Sequence, residues 1–223
     1  MERYKKNIEL LQNNNVYSKE MEHDACGVGL VASTQGKKSR EVVEYGIEAL
    51  KAVWHRGAVD ADGKTGDGAG IHLEIPKDFF IEKIEITGHK FDNAEICVGM
   101  IFLPRNNFES QETSRTIIER ELTKSNFSIY GWRQVPVNPK VLGEKADSTR
   151  PEIAQVLFKH NDIDLNGKDL ERRLYETRRK IENEAIKNSL DGLYICSLSS
   201  KSIIYKGMFL AESISDFYID LQD

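Results

Sequence analysis

Apolar residues recur along this chain at two spacings. In some segments they alternate or form short runs, which predicts β-strands, and in others they return every three or four residues, which predicts amphipathic helices. The predicted strands are 26–32, 71–75, 96–103, 128–137, 153–159, 193–198 and 203–205. Helices are predicted from Ser39 to just before Gly57, over about 112–123 and over about 168–190. We expect the last two strands to form a β-hairpin and the whole to be a mixed helix-and-sheet protein with much antiparallel sheet.

The first 22 residues do not fit this pattern. They are polar, and three consecutive asparagines at 13–15 interrupt a weak helical spacing. We therefore predict that residues 1–25 are a detachable leader and that residues 26–223 form one domain. The predicted strand that follows begins at Cys26, directly after the leader.

A glycine-rich loop occupies residues 58–70 and shows no hydrophobic periodicity. It is not a P-loop, because Ala58 stands where the first glycine is required, and Ile71 replaces the third glycine of a dinucleotide fingerprint. A calcium loop starting at Asp60 or Asp62 fails as well, because its glycine and glutamate positions do not match. The loop is consistent with a solvated turn or with backbone that approaches another group closely.

Composition excludes several classes of function. The 223 residues are 39% apolar and 30% charged, as in a soluble globular protein, and the net charge of −5 argues against nucleic acid as a partner. No stretch approaches the roughly 20 apolar residues of a membrane helix, and there is no secretory signal, so we expect no membrane association and a cytoplasmic location. Three cysteines without a CxxC pair predict neither a disulfide framework nor a structural zinc site, and no metal site is predicted.

The cysteines differ in context. Cys97 and Cys196 lie inside apolar strands, where a free cysteine usually behaves as a small buried hydrophobe. Cys26 follows the leader and has small neighbours, so cleavage after Ala25 would expose it as a new N-terminus. Its α-amine, with a reference pKa of about 7.7–8.0, could then deprotonate its thiol, whose reference pKa is about 8.5. Cys26 is therefore a candidate N-terminal nucleophile, and a buried structural role is its alternative.

Ordered motifs across the chain resemble the large subunit of glutamate synthase. The first three are Asp24-Ala25-Cys26-Gly27-Val28-Gly29, His55-Arg56-Gly57-Ala58 and Thr65-Gly66-Asp67-Gly68-Ala69-Gly70. The later ones are Gly131-Trp132-Arg133-Gln134-Val135-Pro136-Val137, Tyr194-Ile195-Cys196-Ser197-Leu198-Ser199-Ser200 and Tyr205-Lys206-Gly207-Met208. Together they span nearly everything after the leader.

This resemblance implies a class II glutamine amidotransferase domain with the four-layer αββα fold of N-terminal-nucleophile hydrolases. Cys26 would attack the side-chain amide of L-glutamine, form a thioester and release ammonia, and Arg56 would organise the pocket around it. The remaining pocket residues implied by the resemblance are His55, Gly57, Thr65, Gly66, Asp67 and Gly68. FMN and the iron–sulfur cluster would belong to a synthase region outside these residues, so no cofactor is expected in this chain. The implied partners are L-glutamine and the remaining glutamate synthase domains or subunits.

The chain departs from the family at its C-terminal side. Members of the family carry a His-Ser-Arg-Phe-Ser motif, whose arginine holds the substrate carboxylate, and a His-Asn-Gly-Glu motif, whose Asn-Gly forms the oxyanion hole. Neither occurs here, and Asn166-Gly167 lacks the flanking histidine and glutamate. Since losing one oxyanion donor costs about 10²–10³-fold in rate, we expect little activity from these residues alone. We also expect the sheets to lack strands, so that the fold is incomplete at its C-terminal end.

Two other functions remain compatible with the sequence. One is a truncated, catalytically inactive module that retains the amidotransferase fold for binding or interaction. The other is an N-terminal-nucleophile hydrolase that acts on a different amide.

Overall fold

The computed structural model describes residues 2–13, 27–53 and 59–222. The helices are α1 (Glu2–Asn13), α2 (Arg40–Ala52), α3 (Lys77–Ile86), α4 (Phe108–Lys124), α5 (Glu144–Thr149), α6 (Gly167–Lys187) and α7 (Ile214–Phe217). The strands are β1 (Ala69–Glu74), β2 (Ile96–Leu103), β3 (Phe127–Gln134), β4 (Glu152–His160), β5 (Tyr194–Ser199) and β6 (Ser202–Gly207). Among these helices, none has the length and apolar composition that crossing a membrane requires.

Within the described residues the strands form two antiparallel sheets. The larger has the order β3-β4-β2-β5, and the smaller pairs β1 with β6 from Ala69↔Gly207 to Glu74↔Ser202. The central strands β2 and β4 are buried along almost their whole length, so both of their faces are covered. This explains why their sequences are uniformly apolar and do not alternate.

Helices α4 and α6 cover one face of the larger sheet. Their buried positions recur at helical spacing, with Ile118 and Leu122 on α4 and Leu174 and Ile181 on α6, and these side chains pack with Phe158 of β4. Most of the remaining positions of both helices are polar, although Phe108 on α4 and Ile186 on α6 are exposed apolar residues. The apolar stripes therefore build one of the two hydrophobic cores.

The second core joins the two sheets. Met100 and Leu157 from the larger sheet share a cluster with Ile203 and Tyr205 of β6. Helix α2 lies against the smaller sheet, and its Gly46 brings the helix backbone close to the Ile71 side chain of β1. The smaller sheet is thus held between the larger sheet and α2.

The predicted hairpin of β5 and β6 is wrong. The two strands belong to different sheets, because β5 pairs with β2 and β6 pairs with β1. Glu171 of α6 anchors the connection, accepting a hydrogen bond from the Ser199 hydroxyl (2.9 Å) and one from the Ser200 backbone N–H (2.8 Å). The short connection therefore carries the chain from one sheet to the other.

The strand predicted at 26–32 is wrong over the part that the structure describes. Residues 27–32 form no strand, and the Val28 and Leu30 side chains are exposed, with relative exposures of 90% and 92%. The apolar run is there, but no described strand lies beside it to pair with its backbone. Cys26, the first residue of this prediction, lies outside the described residues.

The other predicted elements are confirmed with shifted ends. Strand β2 has the predicted bounds, whereas α4 begins four residues earlier than predicted, because the Asn107 side chain caps the Ser110 backbone N–H at 2.9 Å. Helix α3 was not predicted. It lies directly after Pro76 and buries Phe80 and Ile84, a pair spaced one helical turn apart in a segment too short to show a periodic pattern.

Candidate active site

The glycine-rich loop folds back on itself. Val59 and Gly66 form an isolated antiparallel bridge, and the Asp60 backbone N–H donates to the Thr65 carbonyl at 2.8 Å. A further backbone bond from Gly63 to the Asp60 carbonyl, at 3.0 Å, closes the tip. The loop is therefore a small hydrogen-bonded turn, and its second half leads directly into β1.

The Asp62 carboxylate organises this turn. Its Oδ1 accepts hydrogen bonds from the backbone N–H groups of Lys64 (3.0 Å) and Thr65 (2.7 Å), and its Oδ2 accepts the Thr65 hydroxyl at 2.6 Å. The hydroxyl bond, followed by the two backbone bonds, holds the pKa of Asp62 well below its usual range. Asp62 is consequently ionised throughout the physiological range, and this favours the bonded turn.

Two glycines of the loop allow close contact with the chain after β6. A Cβ on Gly66 would lie 2.9 Å from the backbone carbonyl of Phe209, closer than packed atoms approach. Gly68 has a φ of +132°, which residues with a side chain rarely adopt, and a Cβ there would face the carbonyl of Gly207 at the end of β6. Of the two sequence interpretations of this loop, the solvated turn is therefore wrong for Gly66, which is buried.

An open cleft of about 580 Å³ lies beside the loop. It is lined by Asp67, Gly68, Ala69, Gly70, Ile71, His72, Phe102, Ile204, Lys206, Gly207 and Met208. Most of the lining comes from β1 and β6, so the pairing of these strands places the loop at the mouth of the cleft. The Lys206 ammonium donates to the Tyr194 hydroxyl at 2.6 Å and lies 4.5 Å from the centre of that ring. This contact places a cation at the cleft.

Four of the predicted site residues are brought together here. Within the loop, Thr65 and Gly66 are buried, and Asp67 and Gly68 line the cleft. The other four predicted residues, Cys26, His55, Arg56 and Gly57, lie outside the described residues.

Sequence reasoning missed two kinds of residue at this cleft. Lys206 and Met208 belong to a motif that was recognised only as part of the resemblance, and nothing in its spacing indicates a cleft. Asp62 was considered only as a calcium ligand. Its signal is the order Asp62-Gly63-Lys64-Thr65, in which an aspartate precedes a threonine by three positions, as in side-chain-capped turns.

The other two cysteines are core residues, as predicted. Cys97 is fully buried, and Cys196 is 4% exposed. Burial raises the pKa of the Cys97 thiol far above its usual range and that of Cys196 to about 11, so neither forms a thiolate at neutral pH. In the ranges 2–13, 27–53 and 59–222, no group of three or more His, Cys, Asp or Glu side chains is placed to hold a metal ion.

Comparison with known proteins identifies the family. The sequence-family model of the class-II glutamine amidotransferases matches residues 26–223. Over 220 residues the chain is 51% identical to the glutamate synthase (NADPH) large chain of Azospirillum brasilense, covering 99% of this chain and 14% of that protein. It is 41% identical over 204 residues to ferredoxin-dependent glutamate synthase 1, chloroplastic/mitochondrial, of Arabidopsis thaliana, covering 91% of this chain and 12% of the relative.

A third relative shows the same pattern. The chain is 36% identical over 212 residues to the glutamate synthase (NADPH) large chain of Bacillus subtilis, covering 93% of this chain and 14% of that protein. The chain thus spans between 12% and 14% of the length of these three relatives. The resemblance inferred from the motifs is confirmed, and the chain belongs to the class-II glutamine amidotransferases.

Proposed function

We propose that this chain belongs to the glutamine-hydrolysing domain of a glutamate synthase, and that this domain converts L-glutamine to glutamate and ammonia. The observation that carries the proposal is the family match, which begins at Cys26. This is the residue that the sequence independently singles out as an N-terminal nucleophile. The similarity to glutamate synthases from two bacteria and a plant supports the wider assignment.

In the proposed reaction, Cys26 supplies both the nucleophile and the base. Removal of residues 1–25 frees its α-amine, which takes the thiol proton as the sulfur attacks the side-chain carbonyl carbon of glutamine. The amine then gives that proton to the departing nitrogen, and ammonia leaves a γ-glutamyl thioester. Water, deprotonated by the same amine, cleaves the thioester, which releases glutamate and restores the thiol.

The pocket residues have separate roles in this proposal. Arg56 organises the pocket around the sulfur, and His55 and Gly57 are further pocket residues. The loop from Thr65 to Gly68 forms a wall for the substrate, which the position of Asp67 at the cleft supports. Lys206 adds a positive charge on the same cleft, where an amino acid carboxylate is favoured.

The arrangement of the described elements supports the four-layer fold of N-terminal-nucleophile hydrolases. Helices α4 and α6 form one outer layer and α2 the other, with the larger and smaller sheets between them.

The proposal also covers partners and location. Ammonia passes to the remaining domains or subunits of the glutamate synthase, where FMN and an iron–sulfur cluster belong, and no step on this chain uses a cofactor. We also propose a cytoplasmic location for the protein, as its composition and charge predict.

Glutamine hydrolysis by the complete natural protein tests the assignment. We expect ammonia release from L-glutamine, and intact-mass measurement should show Cys26 as the first residue of the active enzyme. Cys26→Ser should reduce activity by at least about 10³-fold, and Cys196→Ser, at a buried thiol, serves as the matched control. Iodoacetamide at pH 8 should alkylate Cys26 well before Cys97 or Cys196.

Three outcomes would contradict the proposal in whole or in part. Absence of glutaminase activity in the complete protein would support the inactive binding module, and activity toward another amide alone would support the alternative hydrolase. An active enzyme that retains residues 1–25 would exclude the N-terminal amine as the base.

A further inference from the structure

The Asp62 carboxylate uses both of its oxygens within its own loop. Oδ1 receives two backbone N–H groups, those of Lys64 and Thr65, and Oδ2 receives the Thr65 hydroxyl. A carboxylate can accept at both oxygens, whereas an asparagine side chain accepts at one and donates at the other. With an asparagine, the Thr65 hydroxyl could no longer donate to this side chain's second terminal atom and would have to accept from its NH₂ group instead.

Thr65 connects this carboxylate to the rest of the fold. It is 2% exposed, and besides donating to Asp62 its hydroxyl accepts from the Ala146 backbone N–H of α5 at 3.4 Å. A Cβ on Gly143, directly before α5, would overlap both the Asp62 carboxylate and the Thr65 hydroxyl. Helix α5 thus sits directly on the Asp62–Thr65 pair.

Only one residue, Gly66, separates Thr65 from the first residue of the loop that lines the cleft. Gly66 follows with its backbone against the Phe209 carbonyl, and Asp67 and Gly68 then line the cleft. Neighbouring Cα atoms are about 3.8 Å apart, so the cleft wall begins within about 8 Å of the Thr65 Cα atom. Because Gly66 between them is held against the Phe209 backbone, we expect a shift of Thr65 to move Asp67.

Asp62 contributes little to the fold itself. Its residue is exposed, and it belongs to neither hydrophobic core. Its removal leaves the apolar side chains of both cores in place. We expect its loss to change the geometry of the loop while overall stability stays nearly the same.

We propose that Asp62 is a positioning residue for the amidotransferase site, acting through Thr65 to fix the cleft wall formed by Asp67 and Gly68. The inference rests on the proposed function, since the fixed wall matters because it holds glutamine. A residue that fixes a binding wall without touching the reacting atoms affects substrate affinity more than turnover. Asp62 is therefore expected to act on KM.

The test uses the complete natural protein with four variants. Asp62→Asn keeps the shape of the side chain and removes the second acceptor, and Thr65→Val removes the hydroxyl at nearly constant volume. Thr65→Ser restores the hydroxyl. Asp162→Asn is the matched control, because that aspartate caps a backbone N–H at 3.0 Å in a distant loop.

Steady-state glutamine hydrolysis provides the first measurement. For Asp62→Asn and Thr65→Val we expect KM to rise about tenfold and kcat to stay within about threefold. Thr65→Ser should bring KM most of the way back from the Thr65→Val value toward the wild-type value, and Asp162→Asn should match the wild type. The rate of Cys26 alkylation by iodoacetamide should be unchanged, because it does not depend on the glutamine wall. The melting temperature should fall by only a few degrees, because each variant loses hydrogen bonds of one loop while both hydrophobic cores stay in place.

Limited trypsin digestion provides a measurement that needs no activity. Lys64 lies inside the bonded turn, so the Lys64–Thr65 bond should be cut about tenfold faster in Asp62→Asn than in the wild type. Peptide masses identify this cut among all others. The Asp162→Asn variant should show the wild-type rate.

The two proposals fail in different ways. A wild-type enzyme that hydrolyses glutamine, with unchanged KM in Asp62→Asn, would overturn the positioning role, as would a melting temperature that falls together with kcat. A wild type that hydrolyses no glutamine would refute the proposed function. In that case unchanged cleavage after Lys64 would also overturn the inference.

Discussion

Arg133 of β3 and Asp220 form a buried ion pair near the end of the described chain. The two guanidinium nitrogens donate to the two carboxylate oxygens at 2.5 and 2.7 Å, and one of them also donates to Gln155 at 2.7 Å. The Arg133 side chain is 14% exposed and that of Asp220 is 4% exposed. We predict that Asp220→Asn destabilises the protein strongly, since it leaves a largely buried guanidinium without its counter-charge.

The size of the effect follows from what remains. Breaking a buried pair by removing one partner costs about 3–5 kcal/mol, and the lower end applies here because Gln155 still accepts one bond. For a domain of this length, each kcal/mol lowers the melting temperature by about 2–4 °C. We therefore expect the melting temperature to fall by about 6–12 °C.

Thermal unfolding followed by circular dichroism, with urea unfolding for the free energy, measures this loss. The matched control is Asp216→Asn at an exposed aspartate in the same segment, which should change the free energy of unfolding by less than about 0.5 kcal/mol. The double variant Arg133→Met/Asp220→Leu should recover most of the loss, because no unpaired charge then stays buried. A loss below about 1 kcal/mol for Asp220→Asn would show that the pair behaves as a solvated surface contact.

Two further predictions concern the glycine-rich loop and the loss of folding stability at acid pH. Gly66→Ala should lower the free energy of unfolding in urea by about 1–3 kcal/mol and slow glutamine hydrolysis, because the added Cβ would meet the Phe209 backbone. Wild-type values for both measurements would contradict this contact. Hydrogen bonds from Lys159 and, second in size, from Tyr130 lower the pKa of Asp92 to about 2. The contribution of Asp92 to the free energy of unfolding is therefore complete above the unfolded-state pKa of about 3.9, and it is lost as the pH falls toward 2. Because this carboxylate is partly exposed, Asp92→Asn should reduce the difference in unfolding free energy between pH 5 and pH 2 by only about 0.2–1 kcal/mol, and an unchanged difference would refute the assignment.

Local pattern predicts an element well where burial is uniform and its ends are marked. Strand β2 was predicted to the residue because its apolar run ends at Pro104. The same pattern could not predict the partner of a strand. Strands β5 and β6, joined by residues 200–201, have the local sequence of a hairpin, but β6 pairs with a strand far back in the chain. Likewise the apolar character of Val28 and Leu30 suggested burial without specifying a covering element.

The candidate site was predictable to a similar degree. Glycine content and motif order located the loop at Thr65 and Gly66, because only close backbone contact requires glycines there. The contact with Phe209 and the bond to Ala146 depend on residues more than 80 positions away in sequence, so no spacing rule could indicate them. The role of Asp62 within its own turn has a local signal, but the packing of helix α5 on it has none, because that helix lies far along the chain.

The pairing of β1 with β6 has a consequence for synthesis on the ribosome. Strand β1 is made early, but its pairing partner lies more than a hundred residues later in the chain. During that interval the unpaired edge of β1 is open to neighbouring nascent chains, which is the condition that favours misassembly. Polar residues alternate with apolar ones on this strand, at His72 and Glu74, and Lys77 lies nearby. These side chains keep the unpaired edge of β1 polar and charged until β6 is made. The late arrival of β6 then completes the smaller sheet and the cleft in one step.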